Sequence, residues 1–186
     1  EQIRRFHSFE PGTMDHAVYG AELLFGKEQM IRRFVKEDSF DRLIETAIAK
    51  HSDFRLEGIT DERTLLHARL IRDADKLDNC RVKLEESMET LLDMDEETVG
   101  ASEISPNVWA SCLTEESVLS ADRVTGMDYW MSYLALYFDI NFPETYQIIR
   151  ENNYIDRIAA RVSYSREDTK EKVAHLVAAL HKRMKD

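Results

Sequence analysis

Three aspartates fall within six positions of one apolar stretch. The stretch is "LLHARLIRDADKLDNCRV", residues 65–82, and the acids are Asp73, Asp75 and Asp78. Asp is a mediocre helix former and is rarely buried without a partner. Leu66, Leu70, Ala74, Leu77 and Leu84 share one face at the 3.6-residue period, which predicts a helix with that face buried. On the same wheel Asp75 lies opposite Leu66, among Ala68, Ile71, Asp78, Asn79 and Val82, while Arg69, Arg72, Lys76 and Lys83 form a solvent-facing arc. A carboxylate on such a semi-apolar face needs a donor or a metal ion. One reading is a structural ion pair, with Arg81 or another helix. The other is a cation held over the helix. Two histidines bear on the second: His16 in "MDHAVYG" and His51 in "TAIAKHSDF", each on an apolar helical segment near an Asp. Taken singly, each is an ordinary hydrogen-bonded histidine. Taken with Asp75, they form an N/O donor set suited to Mn, Fe, Co, Ni, Zn or Mg.

The elements that must position these residues are helical. The 186 residues contain three prolines and six glycines, and no period-2 alternation persists long enough to propose a sheet. Helices are expected over "MDHAVYGAELLFG", "EQMIRRFVK" and "SFDRLIETAIAKH", the last with Ser39 as N-cap and Leu43, Ile44, Ala47 and Ile48 as its stripe. A long helix follows from about 61 into the 90s, with "EPGT" at 10–13 read as a loop. "SPNVWASCL" and "PETYQIIRENN" place Pro106 and Pro143 in first turns. Trp130, Leu134, Tyr137 and Phe138 read as core, and the apolar segment 126–142 either completes that core or pairs with a second copy in a homodimer. The closing segment has acids early and bases late, which suits a helix dipole. The fold class expected is all-α, a compact multi-helix bundle. One domain is expected over 1–186, with motif-bearing helices over 1–100 and core-completing helices over 101–186.

The formal net charge of −11 argues against a general nucleic-acid binder, which needs Lys and Arg to displace counterions. Residues 84–103 carry eight acids and no Lys or Arg, and read as a solvated helix end and loop. No apolar run approaches the roughly 20 residues needed to span a bilayer. Cys80 and Cys112 match no metal-thiolate spacing and fit a reducing, cytoplasmic setting as packed thiols. His7 and His67 lack a ligand setting, and His175 and His181 suit a helix-end or surface role.

"DHAVYGAELLF", "AIAKHSDF" and above all "LIRDADKLDNCRV" resemble the HD-domain superfamily of metal-dependent phosphohydrolases. The resemblance is strongest over residues 1–84, and "YWMSYLALYFDINFPETY" extends it over most of the chain. It implies that Asp75 is a metal ligand and that His16 and His51 serve a second metal or contact phosphate. Asn79 matches a position near the substrate, and the side chains of His16, His51 and Asp75 are expected to converge on one cavity. Lys76, Arg32 and Arg33 are further candidates for phosphate contacts. Asp73 and Asp78 carry no ligand role and are expected to orient Arg or Lys side chains. The implied activity is hydrolysis of a phosphoester or phosphoanhydride in a small, nucleotide-like substrate. The superfamily's other ligands are an earlier His and an adjacent His-Asp pair, and no such pair occurs in the 186 residues. The pattern predicts that the chain begins just after the pair. The rival expectation is a non-catalytic helical module, regulatory or interacting, that keeps the HD framework.

Overall fold

The computed structural model describes residues 15–185. Among them there is no strand, and the chain is all-helical. The expected loop at 10–13 and His7 lie outside the described residues. No described helix is long and apolar enough to cross a membrane. Backbone contacts gather the described residues into two compact units that divide between Arg72 and Asp73.

The first unit begins with α1 (His16–Phe25), whose N-terminal amides on Ala17 and Val18 donate to the Asp15 carboxylate at 2.9 and 3.1 Å. That capping bond satisfies donors the helix itself cannot. The expected helix around "EQMIRRFVK" is a single 3₁₀ turn, Met30–Arg33. The next helix, α2 (Asp41–Ala49), packs against α1. Small side chains permit the close approach: Ala17, Ala21 and Ala47 are all buried. Ser39 is not the N-cap of α2. Phe40 occupies that position and makes no side-chain cap bond. Arg32 instead pairs with Asp41 in the first turn, and its guanidinium also reaches the Glu37 carbonyl.

A single long helix, α3 (Glu62–Glu85), follows, with Asp61 accepting from the Thr64 amide at 2.7 Å. It ends at Glu85 instead of running into the 90s. Its inner face differs from the one the apolar period indicates. Leu66 and Leu70 are 51% and 53% exposed, whereas Arg72, Asp73, Lys76, Cys80 and Lys83 are buried. Asp75, expected on a semi-apolar face, is exposed. The physical reason is that Arg72, Asp73 and Lys76 each have strong hydrogen-bond or ionic partners, which lower the cost of desolvation.

Those partners define the second unit. The Asp73 carboxylate accepts from the Asn141 amide at 3.0 Å, the Asn141 side chain at 2.8 Å and the Phe142 amide at 3.0 Å. One turn on, the Lys76 ammonium reaches the Asp139 carboxylate at 2.7 Å and the Asp139 carbonyl. Cys80 then meets the Tyr137 hydroxyl at 3.2 Å. Acid, base and thiol on one face of α3 thus fasten segment 137–142. That segment leads into α8 (Pro143–Glu151), where Pro143 stands in the first turn as expected.

The acidic stretch 84–103 is more ordered than a solvated loop. It contains α4 (Met88–Leu92), capped by Ser87, and α5 (Glu96–Ala101), capped by Asp95. Met88 and Val99 are buried in the core. An ideal Cβ on Gly100 would stand 2.2 Å from the Ser163 carbonyl oxygen, so only glycine lets α5 approach there. After α6 (Pro106–Leu113) comes α7 (Gly126–Ala135), the centre of the unit. Trp130, Met131 and Leu134 on α7 are fully buried, and Tyr137 and Phe138 follow them into the core. Helices α5, α6, α9 (Tyr154–Ala159) and α10 (Glu167–Arg183) pack around α7. The apolar segment 126–142 therefore completes the core of this unit. As expected, α10 has Glu167 and Asp168 in its first turn and His181, Lys182 and Arg183 in its last.

Candidate functional site

The sequence motif on α1 and the one after α2 meet within the first unit. The Nε2 atoms of His16 and His51 stand 3.1 Å apart, with the rings edge-on at a centroid distance of 5.0 Å. His16 is exposed and His51 half-buried. The local fold explains the placement. Asp15 fixes the start of α1, so His16 projects from its first residue. His51 follows the end of α2, where its Nδ1 lies 2.7 Å from the Ile48 carbonyl oxygen. A carbonyl accepts only, so that bond puts the proton on Nδ1 and leaves the Nε2 of a neutral His51 ring with a free lone pair. Arg72 holds the segment in place: its guanidinium donates to the His51 carbonyl at 3.1 Å and to the Asp53 carbonyl. Lys50 and Asp53 close a salt bridge at 3.0 Å beside it.

This arrangement can do one of two things. His16 can donate an Nε2 proton to His51, or both lone pairs can face one cation. Two nitrogens each about 2.1 Å from an ion and at roughly right angles stand about 3 Å apart, so the observed spacing fits a shared divalent ion. The Nδ1-to-carbonyl bond of His51 is the usual outer support of a metal-binding imidazole. Among the described residues, no group of three or more His, Cys, Asp or Glu side chains is arranged to hold a metal ion.

Neither family models, nor curated proteins, nor solved structures match this chain.

The remaining candidates have definite places. Asp75 lies in the second unit, where Asn79 donates to its carboxylate at 3.3 Å and to its backbone carbonyl at 3.0 Å. Asn79 thus orients Asp75 from one turn further along α3. Lys76 is buried on Asp139 and is not part of a solvent-facing arc, and neither are Arg72 and Lys83. Arg32 is engaged by Asp41, and Arg33 beside it is exposed. Asp78 pairs with Arg81 at 3.1 Å, whereas Asp73 takes backbone amides and orients no basic side chain.

Three polar residues that sequence reasoning missed matter to the structure. Asp128 is fully buried and accepts from Ser105 through its amide and hydroxyl at 2.7 and 2.6 Å, and from the Val124 and Thr125 amides. Burial alone would raise its carboxyl, but the bonds from Ser105, Val124 and Thr125 outweigh that and hold it below the usual carboxylate range. The signal was present as Thr125 followed three residues later by Asp128, a capping-box pattern. Arg72 gave no signal in its bonds to the His51 and Asp53 carbonyls, since every residue carries such an acceptor. Lys83 gave none either: its ammonium sits 3.6 Å from the centre of the Tyr133 ring. Burial pushes Lys83 down to about 8, with Asp75 opposing the shift and Arg123 adding to it.

Proposed function

We propose that the chain is a metal-dependent phosphohydrolase of the HD type, with His16 and His51 as ligands of a divalent cation. The observation that carries this reading is the facing pair of Nε2 atoms, 3.1 Å apart, with His51 held in the ligating tautomer by Ile48. The cation, when bound, supplies Lewis acidity, lowering the pKa of a water and offsetting charge on phosphoryl oxygens. The protein's own part is positional. Asp15 and Arg72 fix the backbone at each imidazole, so little ordering remains when an ion arrives. The resemblance also implies Asp75 as a metal ligand, and within its own unit Asn79 orients that carboxylate. Of the basic candidates, exposed Arg33 suits a phosphate contact. Arg32 and Lys76 instead brace the fold through Asp41 and Asp139. The substrate class that follows is a small phosphoester or phosphoanhydride.

The test is calorimetric titration with Mn²⁺, Ni²⁺ and Zn²⁺, paired with turnover of a generic phosphoester. Binding to the chain is expected to be weak, and His16→Ala or His51→Ala is expected to lower it at least about tenfold, since each removes one ligand. Asp75→Asn is expected to abolish metal-stimulated turnover while leaving thermal unfolding unchanged, because the amide keeps the shape and removes the charge. Metal binding that is indifferent to both histidines, or turnover that survives Asp75→Asn, overturns the assignment.

A further inference from the structure

One face of α2 is turned to an open groove. Phe40, Leu43, Thr46 and Lys50, spaced by three or four residues, line it together with Gly58, Ile59, Thr60, Asp61, Arg63 and Thr64. The groove measures about 670 Å³ and lies wholly within the first unit. That volume is in the range of small-molecule sites. Its chemistry runs against that of the rest of the chain. In a protein of formal charge −11, Arg42, Lys50 and Arg63 all line this one cleft. Hydroxyls of Ser39, Thr46 and Thr60 are interleaved with them. The acid in the lining is Asp61, and its carboxylate is engaged by the Thr64 amide at 2.7 Å and the Thr64 hydroxyl at 2.6 Å. Those Thr64 bonds, helped by Arg63 and Arg42, hold this carboxyl below its usual range, so Asp61 offsets one of the three basic charges and leaves the lining net positive.

Arg63 is presented in a particular way. Its guanidinium carbon lies 4.8 Å from the centre of the Phe40 ring. A ring is no hydrogen-bond acceptor of the ordinary kind, so this contact holds the cation while its planar N–H fork can still grip an oxyanion. Leu43 and Ile59, both half-buried, provide apolar surface beside these donors.

We propose that this groove binds a phosphorylated small molecule. Arg42 and Arg63 hold the phosphate, the threonine and serine hydroxyls donate to its remaining oxygens, and the surface of Leu43 and Ile59 takes the organic part. The groove is lined by neither His16 nor His51, and the proposal does not rest on the metal reading.

The probe is inorganic pyrophosphate, which carries the charge with no organic part to be fitted. It is titrated into the ¹⁵N-labelled full chain in the presence of EDTA, so that no metal-bound anion contributes. Saturable shifts are expected at the amides of Thr46, Thr60, Arg63 and Thr64, weakening as salt is raised. Arg42→Gln with Arg63→Gln, both exposed positions, is expected to weaken binding at least tenfold. Thr46→Val is expected to weaken it by a smaller factor without touching charge, and the dispersion of the spectrum reports directly that each variant is folded. Shifts absent at these amides, or affinity unchanged in the double variant, overturn the proposal. Binding lost in His16→Ala but kept in the double variant overturns it too, by moving the anion to the histidines.

Discussion

The two units use polar side chains in opposite ways. In the second, they are buried and saturated: Asp128 takes four donors, and Asp73 is met by Asn141 and Phe142. In the first, the groups of interest stand at the surface with donor or acceptor capacity to spare, as His16, Arg42 and Arg63 do. A buried carboxylate with every lone pair used is a fastener. The Nε2 atoms of His16 and His51, facing each other at 3.1 Å, are the arrangement on which the proposed cation site rests. Under that proposal the contrast gives stability to one set of residues and chemistry to the other, and it can be broken by substitution.

The largest effect is expected at Asp128. Asp128→Ala strands the donors of Ser105, Val124 and Thr125 inside the protein, at a cost of about 3–5 kcal/mol in denaturant unfolding. A loss under about 1 kcal/mol would show that the network is replaceable by water. Lys83 sharpens the comparison, because it is the fastener that costs stability. Its folded pKa, about 8, lies below the ordinary 10.5. Between those values the unfolded chain binds more protons than the folded one, so this residue's contribution makes stability rise with pH from about 8 to about 10.5 and penalises the fold at pH 7. Lys83→Met keeps the packing on Tyr133 and is expected to stabilise the protein by roughly 2 kcal/mol at pH 7. That advantage over the parent should vanish as the pH nears 10.5. A difference between the two proteins that is flat in pH would contradict the buried-ammonium account. The smallest effect is expected at the histidines. In the absence of metal, His16→Ala should change unfolding free energy by no more than about 0.5 kcal/mol, as for other exposed sites, and His51→Ala by about 1 kcal/mol, the worth of its bond to the Ile48 carbonyl. A large loss at either would make the pair structural and remove the contrast.

How far these roles were legible depended on the range of the contacts. The starts of α1, α5 and α7 were written locally, in Asp15, Asp95 and Thr125, each capping an amide two or three residues ahead. The core residues of α7 announced themselves by apolar character alone. The inner face of α3 was the failure. Its period favoured Leu66 and Leu70, yet Asp73, Lys76 and Cys80 turn inward, because their partners at 137–142 lie more than 50 residues away. Helical periodicity ranks faces by hydrophobicity and cannot register a distant donor that makes a polar face the better one to bury. For the same reason His16 and His51 could be named as candidates from their own segments, while the spacing between them could not. Ser39 failed as a cap for a smaller reason: helix α2 begins after Phe40, and Arg32 supports its first turn from outside.

The grip of Arg72 on two backbone carbonyls has a consequence for ionic strength. These two bonds go to the neutral oxygens of His51 and Asp53 from a buried position, so mobile ions have little in them to screen. The Lys50–Asp53 pair beside it is about one-third exposed and will weaken as electrolyte is added. The segment after α2 should thus keep its posture in concentrated salt while the charges around it are damped. Electrolyte added to an anion titration of this unit would therefore report the ligand's own Coulombic attraction, with the backbone around His51 unmoved.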